Sequence, residues 1–374
     1  MKKNIAIFFG GDSVEHDISV ITALQAIKNI NKGKYDIIPV YLKDSLWWSG
    51  ENLLKMEYYS EGELKANKVV LLPDGYLYKQ GIILKKYRHI DVALLCFHGH
   101  GGEDGCVQGL LELYGIPYTS AGVIGSAISC DKSLFKEVLK GLNVDCIESV
   151  SFNNNEYYAN SKMWLYKVAK FGFPVVVKPS TLGSSIGISV CKNKKELMSA
   201  LELAFNLDNR VLIEKYCQNM REINCAVAGY GDEIIVSELE EPVTKNEILS
   251  FENKYLNNQK QGMASASRKI PAEISKEDSK KIKEVALLLF QKLDLKGVVR
   301  FDFILSDGKI YLNELNSIPG SLAFYLFEPM GIKYTELLDK LILWALRDYE
   351  NKSKITRKFK NNIFDKVSLD GIKK

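Results

Sequence analysis

Apolar positions follow two different periods over the first hundred residues. Short apolar runs typical of buried strands lie at 4–9, 35–42 and 92–97, and an apolar stripe with helical spacing covers 19–30. Strands that alternate with helices are typical of a parallel sheet covered by helices. The pattern therefore predicts an N-terminal parallel α/β domain, which we place at residues 1–125.

The rest of the chain shows the pattern of two further units and a tail. With 374 residues the chain is too long for one hydrophobic core, so several domains are expected. We place a central lobe at 126–213, a C-terminal lobe at 214–350 and a tail at 351–374. The predicted segments are a helix at 130–142, strands at 173–178, 211–213, 222–228 and 233–238, a polar loop at about 241–268 and a helix at 279–293.

Composition and charge narrow the function classes. Apolar residues make up 46% and charged residues 26%, which excludes disorder as the default state. The net charge is +4, but residues 351–374 hold eight Lys or Arg against two Asp, so the remaining chain is slightly acidic. A nucleic-acid partner is therefore not expected. The tail is expected to be solvated, and contact with an acidic membrane surface or partner stays open.

The lack of a recognisable targeting signal and the cysteine pattern together predict a cytoplasmic protein. The apolar stretch after Met1 is too short for a signal peptide, and no run reaches the roughly 20 residues that cross a membrane. The seven cysteines are irregularly spaced without a CxxC pair, so we expect reduced thiols. Four histidines give little material for a zinc site, so any metal is expected on oxygen ligands.

The most informative polar residues lie on a predicted hairpin at 298–316. A three-residue loop, Ser306-Asp307-Gly308, would pair Leu305 with Lys309. That register places Arg300, Asp302, Glu314 and Asn316 on one face. The opposite face would carry Val299, Phe301, Phe303, Tyr311 and Leu315, with Asn313 as its polar exception. Such oxygen ligands suit Mg²⁺, and a surface salt bridge between Arg300 and the acids is the alternative.

Two other segments have features of a nucleotide site. Lys178 ends an apolar run and precedes a Gly/Ser segment at 180–187, whose backbone N–H groups could wrap a polyphosphate, although a flexible connector fits equally well. The segment 211–217, followed by Glu222, could contact a purine and a ribose, but many strand–loop–strand segments have this pattern. The GxGxxG and GxxxxGK[ST] motifs are absent where a Rossmann or P-loop fold needs them.

Taken together and in this order, several separated motifs resemble those of the D-alanine:D-alanine ligases, members of the ATP-grasp family. The resemblance runs from about Lys3 to Asp348. The matching stretches are Glu15 to Ser19, His98 to Glu112, Cys130-Asp131-Lys132, Lys178 to Gly187, Glu214 to Glu222, Glu252 to Tyr255, Arg300-Phe301-Asp302 and Asn313 to Gly320.

The resemblance implies a fold and a reaction. The fold is an N-terminal parallel α/β (pre-ATP-grasp) domain followed by a two-lobed ATP-grasp α+β unit. In the reaction, ATP phosphorylates the carboxylate of one D-alanine, and the amine of a second D-alanine attacks the acyl phosphate. The products would be D-alanyl-D-alanine for peptidoglycan precursors, ADP and phosphate. Two Mg²⁺ or Mn²⁺ ions and a homodimer formed through the first domain are also implied.

The resemblance also implies a role for each matching residue. Asp302, Glu314 and Asn316 would hold the metal ions. ATP would contact Lys132, Lys178, Ser185, Glu214, Lys215, Cys217, Glu222 and Lys254. Glu15 would anchor the first amino group, Arg300 and the Gly320 N–H would form an oxyanion hole, and Ser184 would tie the Gly/Ser lid to the loop that carries Tyr255. His98 and Tyr325 would complete the substrate set.

One departure from the family pattern concerns the second substrate. After the Pro-Gly the family usually has a Thr and a Ser that receive the acceptor carboxylate, but Tyr325 stands where the Ser is expected. Phe324 and Tyr325 could instead be core residues, Phe251 replaces a frequent Tyr, and D-serine stays open as acceptor. The pair Lys254-Tyr255 disfavours D-lactate. A non-catalytic nucleotide-binding homologue is disfavoured, because the residues that the family uses for catalysis and metal binding are present. An NAD-dependent oxidoreductase is disfavoured, because the GxGxxG motif is absent.

Overall fold

A computed structural model describes residues 2–59, 65–242 and 268–357. The described chain forms three sheets of seven, four and five strands. A separate cluster of buried apolar side chains supports each sheet. The mixed α/β class expected from the sequence is confirmed.

The first sheet contains the predicted parallel strands at one end. β1 pairs in parallel with β2 and with β7, and the strand order is β6-β5-β4-β3-β2-β1-β7. The bounds are β1 Lys3–Gly10, β2 Tyr35–Lys43, β3 Leu46–Ser49, β4 Asn67–Leu71, β5 Tyr76–Lys79, β6 Lys85–His89 and β7 Val92–Leu95, with helices α1 His16–Asn29 and α2 Cys106–Tyr114. Strands β3 to β6 add an antiparallel extension that the pattern did not indicate. The extension starts at a two-residue turn, Asp44-Ser45, where both residues have positive φ, as such hairpins require.

The helix predicted over 130–142 is confirmed as the second of two consecutive helices. They are α3 Val123–Cys130 and α4 Lys132–Gly141. The break is at Asp131, because its carboxylate accepts the backbone N–H groups of Ser133 and Leu134 at 2.9 and 3.0 Å and caps α4. This cap places Lys132 in the first turn of α4, next to the second sheet.

The second sheet is antiparallel, with the order β10-β9-β11-β8. Its strands are β8 Ser149–Asn153, β9 Val175–Pro179, β10 Ser189–Cys191 and β11 Arg210–Lys215, with helices α5 Asn154–Ala159, α6 Ser161–Ala169 and α7 Lys194–Leu207. Helix α7 buries Leu197, Ala200, Leu201 and Ala204 against it, at the i, i+3, i+4 and i+7 positions of an amphipathic helix.

The third sheet has the order β14-β13-β12-β15-β16. Its strands are β12 Arg221–Tyr230, β13 Glu233–Pro242, β14 Arg268–Lys269, β15 Gly297–Ser306 and β16 Lys309–Asn316, with helices α8 Lys276–Lys292 and α9 Tyr334–Ser353. Leu337, Leu338 and Leu341 of α9 belong to the same buried cluster as the first sheet, so the C-terminal helix joins the first and third sheets. Within the described ranges, no helix has the length and apolar character to span a bilayer.

Candidate active site

Four polar residues form a continuous row across the third sheet. Glu240 lies opposite Asn224, Asn224 opposite Asp302, and Asp302 opposite Glu314. Directly opposed residues project from the same face of a sheet. Glu240, Asn224 and Asp302 are buried. We call these four residues the polar row, and the candidate site is built on it.

The hairpin that carries half of this row has a different register from the predicted one. Ser306 pairs with Lys309, so the loop is the two residues Asp307-Gly308, both with positive φ. The predicted three-residue loop and the Leu305 to Lys309 pair are therefore wrong.

The hairpin nevertheless keeps its polar face. A register shift leaves Asn313 as an extra residue in a bulge on β16, so Asp302 pairs with Glu314 and Arg300 with Asn316. These residues share one face, as predicted. Tyr311 pairs with Ile304 and lies on that same face, so its predicted place on the core face is wrong.

Arg300 and Asp302 form a buried ion pair in the centre of the site. Arg300 donates from Nε and Nη2 to the two carboxylate oxygens at 2.6 and 2.7 Å, and the Asn316 amide donates to Oδ2 at 3.0 Å. Burial raises the pKa of Asp302 to about 7, Arg300 opposes this shift, and Glu314 and Glu222 add to it. Glu222 is thus close enough to influence the predicted metal residues.

The donor set at this end suits a hard cation. No three His, Cys, Asp or Glu side chains within the described ranges are arranged to hold a metal ion. The predicted set consists of two carboxylates, Asp302 and Glu314, and the amide of Asn316. A buried carboxylate repelled by two others, surrounded by oxygen ligands, is an environment that Mg²⁺ or Mn²⁺ would stabilise. The residues therefore fit the implied metal.

The second sheet contributes a buried triad of charges. Glu214 lies 2.6 Å from Nζ of Lys178 and 2.6 Å from Nζ of Lys136. Burial alone would raise the pKa of Glu214, but the two lysines lower it to about 2. Nζ of Lys178 also donates to Oδ1 of Asn313 in the bulge at 3.2 Å, which connects the second sheet to the metal face.

Sequence reasoning missed Lys136 and Asn313. Lys136 lies four residues after Lys132 on α4, so a helical spacing could have placed both on one face. Asn313 was noticed only as the polar exception on an apolar face. A bulge was the simplest explanation for such an exception.

The Gly/Ser segment connects the second sheet to the first domain. Nζ of Lys132 donates to the carbonyl of Leu182 at 2.6 Å, and Oγ of Ser184 donates to the carboxylate of Glu15. A Cβ at Gly183 would lie 2.7 Å from Glu15 Oε2, so only glycine permits this approach. Ser184 and Ser185 both have positive φ. The structure thus brings Glu15 and Ser184 together.

A second group from the first domain holds the segment around Gly320. Nε2 of the buried His98 lies 2.9 Å from Thr22 Oγ1, which accepts the Ser321 N–H at 3.1 Å. Burial, with a smaller effect of Arg300, lowers the pKa of His98 to about 3, so the ring is neutral at pH 7. Glu103, which the sequence analysis missed, accepts the N–H groups of Gly99 and Ile318 at 2.8 and 3.3 Å.

A third cluster lies at the other end of the polar row. Oε1 of Glu240 forms an ion pair with Nη1 of Arg268 at 3.1 Å. Oε2 of Glu240 accepts hydrogen bonds from the Tyr325 hydroxyl and the Asn224 amide, both at 3.2 Å. The Arg268 guanidinium lies 4.2 Å from the centre of the Tyr325 ring. We call Glu240, Arg268 and Tyr325 the Arg268 cluster. Phe324, in contrast, stacks on Tyr334 at 4.3 Å and is a packing residue.

The remaining predicted residues divide into described and undescribed positions. Lys215 is exposed at the end of β11, and Cys217 is half-buried, with burial and Glu214 raising the pKa of its thiol. Lys254 and Tyr255, like Phe251, lie outside the described residues.

Comparison with known proteins identifies two matching family regions. The family "D-ala D-ala ligase N-terminus" matches residues 4–121, and "D-ala D-ala ligase C-terminus" matches residues 138–343. A relative from Thermosipho melanesiensis named "D-alanine--D-alanine ligase" is 40% identical over 93% of this chain and 95% of its own. A relative of the same name from Chloroherpeton thalassium is 38% identical over 94% of this chain and 98% of its own.

Solved structures with the same fold include ligases of two substrate preferences. The D-alanine-D-alanine ligase from Coxiella burnetii aligns with a TM-score of 0.80 and 26% identity, over 94% of this chain and 98% of that one. The VanG D-Ala:D-Ser ligase from Enterococcus faecalis aligns with a TM-score of 0.76 and 30% identity, over 92% of this chain and 100% of that one.

Proposed function

The chain belongs to the D-alanine:D-alanine ligase family, and from this premise we propose that it joins two D-alanines at the expense of ATP. The products are ADP, phosphate and D-alanyl-D-alanine. The dipeptide serves peptidoglycan precursor synthesis. The observation that supports the proposal is a set of three contacts. Glu15 with Ser184 joins the first domain to the Gly/Ser segment, Lys178 with Asn313 joins the second sheet to the third, and Arg300 pairs with Asp302 on the third sheet.

The first D-alanine needs an anion for its ammonium group and a cation for its carboxylate. Glu15 supplies the anion, and Ser184 orients it by donating to its carboxylate. Arg300 supplies the cation, and the N–H of Gly320 lies in the segment that Thr22 and Glu103 hold in place. These donors are suited to the oxyanion that develops when the acyl phosphate is attacked, where losing one donor commonly costs ~10² to 10³ in rate.

The nucleotide needs positive charge at its phosphates and a closed, dry site. Lys178 and Lys132 lie beside the Gly/Ser segment, and their positive charges would contact the phosphates. Asp302, Glu314 and Asn316 would hold Mg²⁺, which when bound neutralises phosphate charge. We also propose contacts along the nucleotide by five further residues: Glu214, Ser185, Lys215, Cys217 and Glu222. An acyl phosphate survives only where water is excluded, as the burial of Asp302 favours.

We further propose that the enzyme acts in the cytoplasm as a homodimer through its first domain. ATP as a substrate supports the compartment. The exposed apolar side chains of Leu113 on α2 and of Val123 and Ile124 on α3 support a protein contact on the first domain.

Product analysis tests the function and the identity of the acceptor. The purified protein is given ATP, Mg²⁺ and D-alanine, alone or with D-serine or D-lactate in competition, and phosphate release and product masses are measured. We expect D-alanyl-D-alanine to dominate. A dominant D-alanyl-D-serine product would preserve the mechanism and change the acceptor. No phosphate release with any D-amino acid would refute the proposed function.

A further inference from the structure

The Arg268 cluster and the metal residues stand at opposite ends of one polar row. Glu240 lies two strands away from Asp302, on β13 and β15, with Asn224 on β12 between them. Neighbouring strands are about 4.8 Å apart, so the backbones at the two residues are separated by roughly 10 Å. An acceptor that approaches an acyl group activated at Asp302 from this side would therefore extend toward Glu240.

Arg300 lies on β15, two residues before Asp302, and pairs with it. It donates two hydrogen bonds to Asp302. The Arg268 cluster is linked to Asp302 through Asn224, which donates to Glu240 at 3.2 Å and lies opposite Asp302 in the sheet. An acceptor that attacks the acyl group from the Glu240 side of Asp302 would lie between the acyl group and the Arg268 and Tyr325 side chains.

Within the ion pair of the Arg268 cluster, the cation is more exposed than the anion. The side chain of Arg268 is 18% exposed and that of Glu240 is 5% exposed. Glu240 forms an ion pair with Arg268 and accepts hydrogen bonds from Asn224 and Tyr325, so it orients its neighbours. A guanidinium carries five N–H donors in a planar fork, so one arginine can pair with Glu240 and with a second carboxylate at once.

We infer that Arg268 receives the α-carboxylate of the acceptor amino acid, and that Glu240 and Tyr325 are positioning residues that hold its guanidinium toward the acceptor. This inference rests on the proposed function and specifies the second subsite. It also explains why Tyr325 can stand where the family usually has a carboxylate-binding Ser. In this chain the acceptor carboxylate would bind Arg268, whose guanidinium contacts the Tyr325 ring. The subsite requires an acceptor with a free carboxylate, so D-alaninamide is a poor acceptor.

Steady-state kinetics of Arg268 variants test this assignment. The KM values for ATP, for the first D-alanine and for the acceptor are measured in the wild type, Arg268→Ala and Arg268→Lys. In Arg268→Ala we expect the acceptor KM to rise roughly 10- to 100-fold, the range for losing hydrogen bonds to a charged group. The other two KM values should stay within about twofold, because Glu15 belongs to the first domain and Lys178 to the second sheet, whereas Arg268 lies on the third sheet. Arg268→Lys should recover part of the loss, and in Arg268→Ala the preference for D-alanine over D-alaninamide should shrink by a similar factor.

A neighbouring lysine provides the matched control. Lys269 follows Arg268 on β14, pairs with Glu273 at 2.6 Å and is exposed, so Lys269→Ala removes the same charge without touching the cluster. It should leave all three KM values unchanged. An unchanged acceptor KM in Arg268→Ala, or an equal rise of all three KM values, would overturn the assignment. If the wild type releases no phosphate with D-alanine, the proposed function fails and this inference fails with it.

Discussion

The two ends of the polar row are built on the same sheet but by different rules. At the reactive end, which comprises Arg300, Asp302, Glu314 and Asn316, every side chain comes from one hairpin and the donor types are those that phosphate chemistry demands. At the other end, the Arg268 cluster combines β13, β14 and the segment after Gly320. The comparison teaches that the activating chemistry is local in sequence, whereas the proposed acceptor subsite is assembled from distant segments.

The strongest way to break this comparison is to remove a charge at the reactive end. Asp302→Asn keeps the size of the side chain and removes the anion that pairs with Arg300 and would hold Mg²⁺. We expect kcat to fall by about 10³-fold or more, at the upper end of the cost of losing a group that stabilises developing charge. Turnover is measured by phosphate release and folding by circular dichroism. Asp307→Asn, in the exposed turn of the same hairpin, should be neutral. A fully active Asp302→Asn variant would refute the metal assignment.

A second prediction concerns the charge of Glu214, whose partner Lys178 contacts the hairpin at Asn313. The pKa of Glu214 is lowered to about 2 from an ordinary value of 4.5, so its ionised form stabilises the folded state above pH 4.5. This stabilisation, about 3 kcal/mol for a shift of this size, is lost as the pH falls from 4.5 toward 2.

Thermal melting across pH measures this contribution. The gap in Tm between the wild type and Glu214→Gln should be widest between about pH 5 and 7 and should narrow as the pH falls toward 3. Glu137→Gln alters an exposed pair with Lys140 and should show almost no gap. A gap for Glu214→Gln that does not change with pH would contradict the paired, ionised state.

At the other end of the row, a smaller change should affect the acceptor alone. Glu240→Gln removes the charge that orients Arg268 while keeping a hydrogen-bonding side chain. We expect the acceptor KM to rise by about tenfold, the effect of weakening one charged hydrogen bond, with the KM for ATP unchanged. Glu241→Gln, whose side chain pairs with Arg221 instead, is the control. A selective effect of Glu240→Gln on the KM for ATP would show that the two ends are not separate.

The smallest expected effect comes from a single hydroxyl. Tyr325→Phe keeps the ring beneath Arg268 and removes the hydrogen bond to Glu240 at 3.2 Å. The hydroxyl bonds to the Glu240 carboxylate and acts on the acceptor only through Arg268, so we expect a loss of about 1 kcal/mol, less than that of a direct charged hydrogen bond, and a rise of the acceptor KM by roughly threefold to fivefold. Tyr158→Phe, at an exposed position, should show no change. A Tyr325→Phe effect as large as that of Arg268→Ala would mean that the hydroxyl itself contacts the acceptor.

Much of the reactive end was predictable from the sequence, although the predicted register was wrong. The real loop is one residue shorter than expected, and the bulge at Asn313 adds another offset. The two offsets together amount to two residues, and because side chains alternate with a period of two, Asp302 and Glu314 keep the predicted face.

The Arg268 cluster was not predictable by the same reasoning. Glu240 lies in the run Glu238-Leu239-Glu240-Glu241, and which glutamate faces the site depends on a register irregularity between Cys225 and Val227 of β12. Arg268 comes at the end of a long polar loop pattern. Glu103 was missed for a related reason: Asp104, its neighbour, caps the local turn, and only the folded backbone shows that Glu103 points inward.

Positional isotope exchange in ATP tests the separation of the two ends most directly. ATP with oxygen-18 in the β–γ bridge exchanges that oxygen into non-bridging positions only if the γ-phosphoryl group is transferred reversibly to the first D-alanine. The account predicts exchange close to the wild-type rate in Arg268→Ala, where only the acceptor is affected, and no exchange in Asp302→Asn. Loss of exchange in both variants, or its retention in both, would contradict the account.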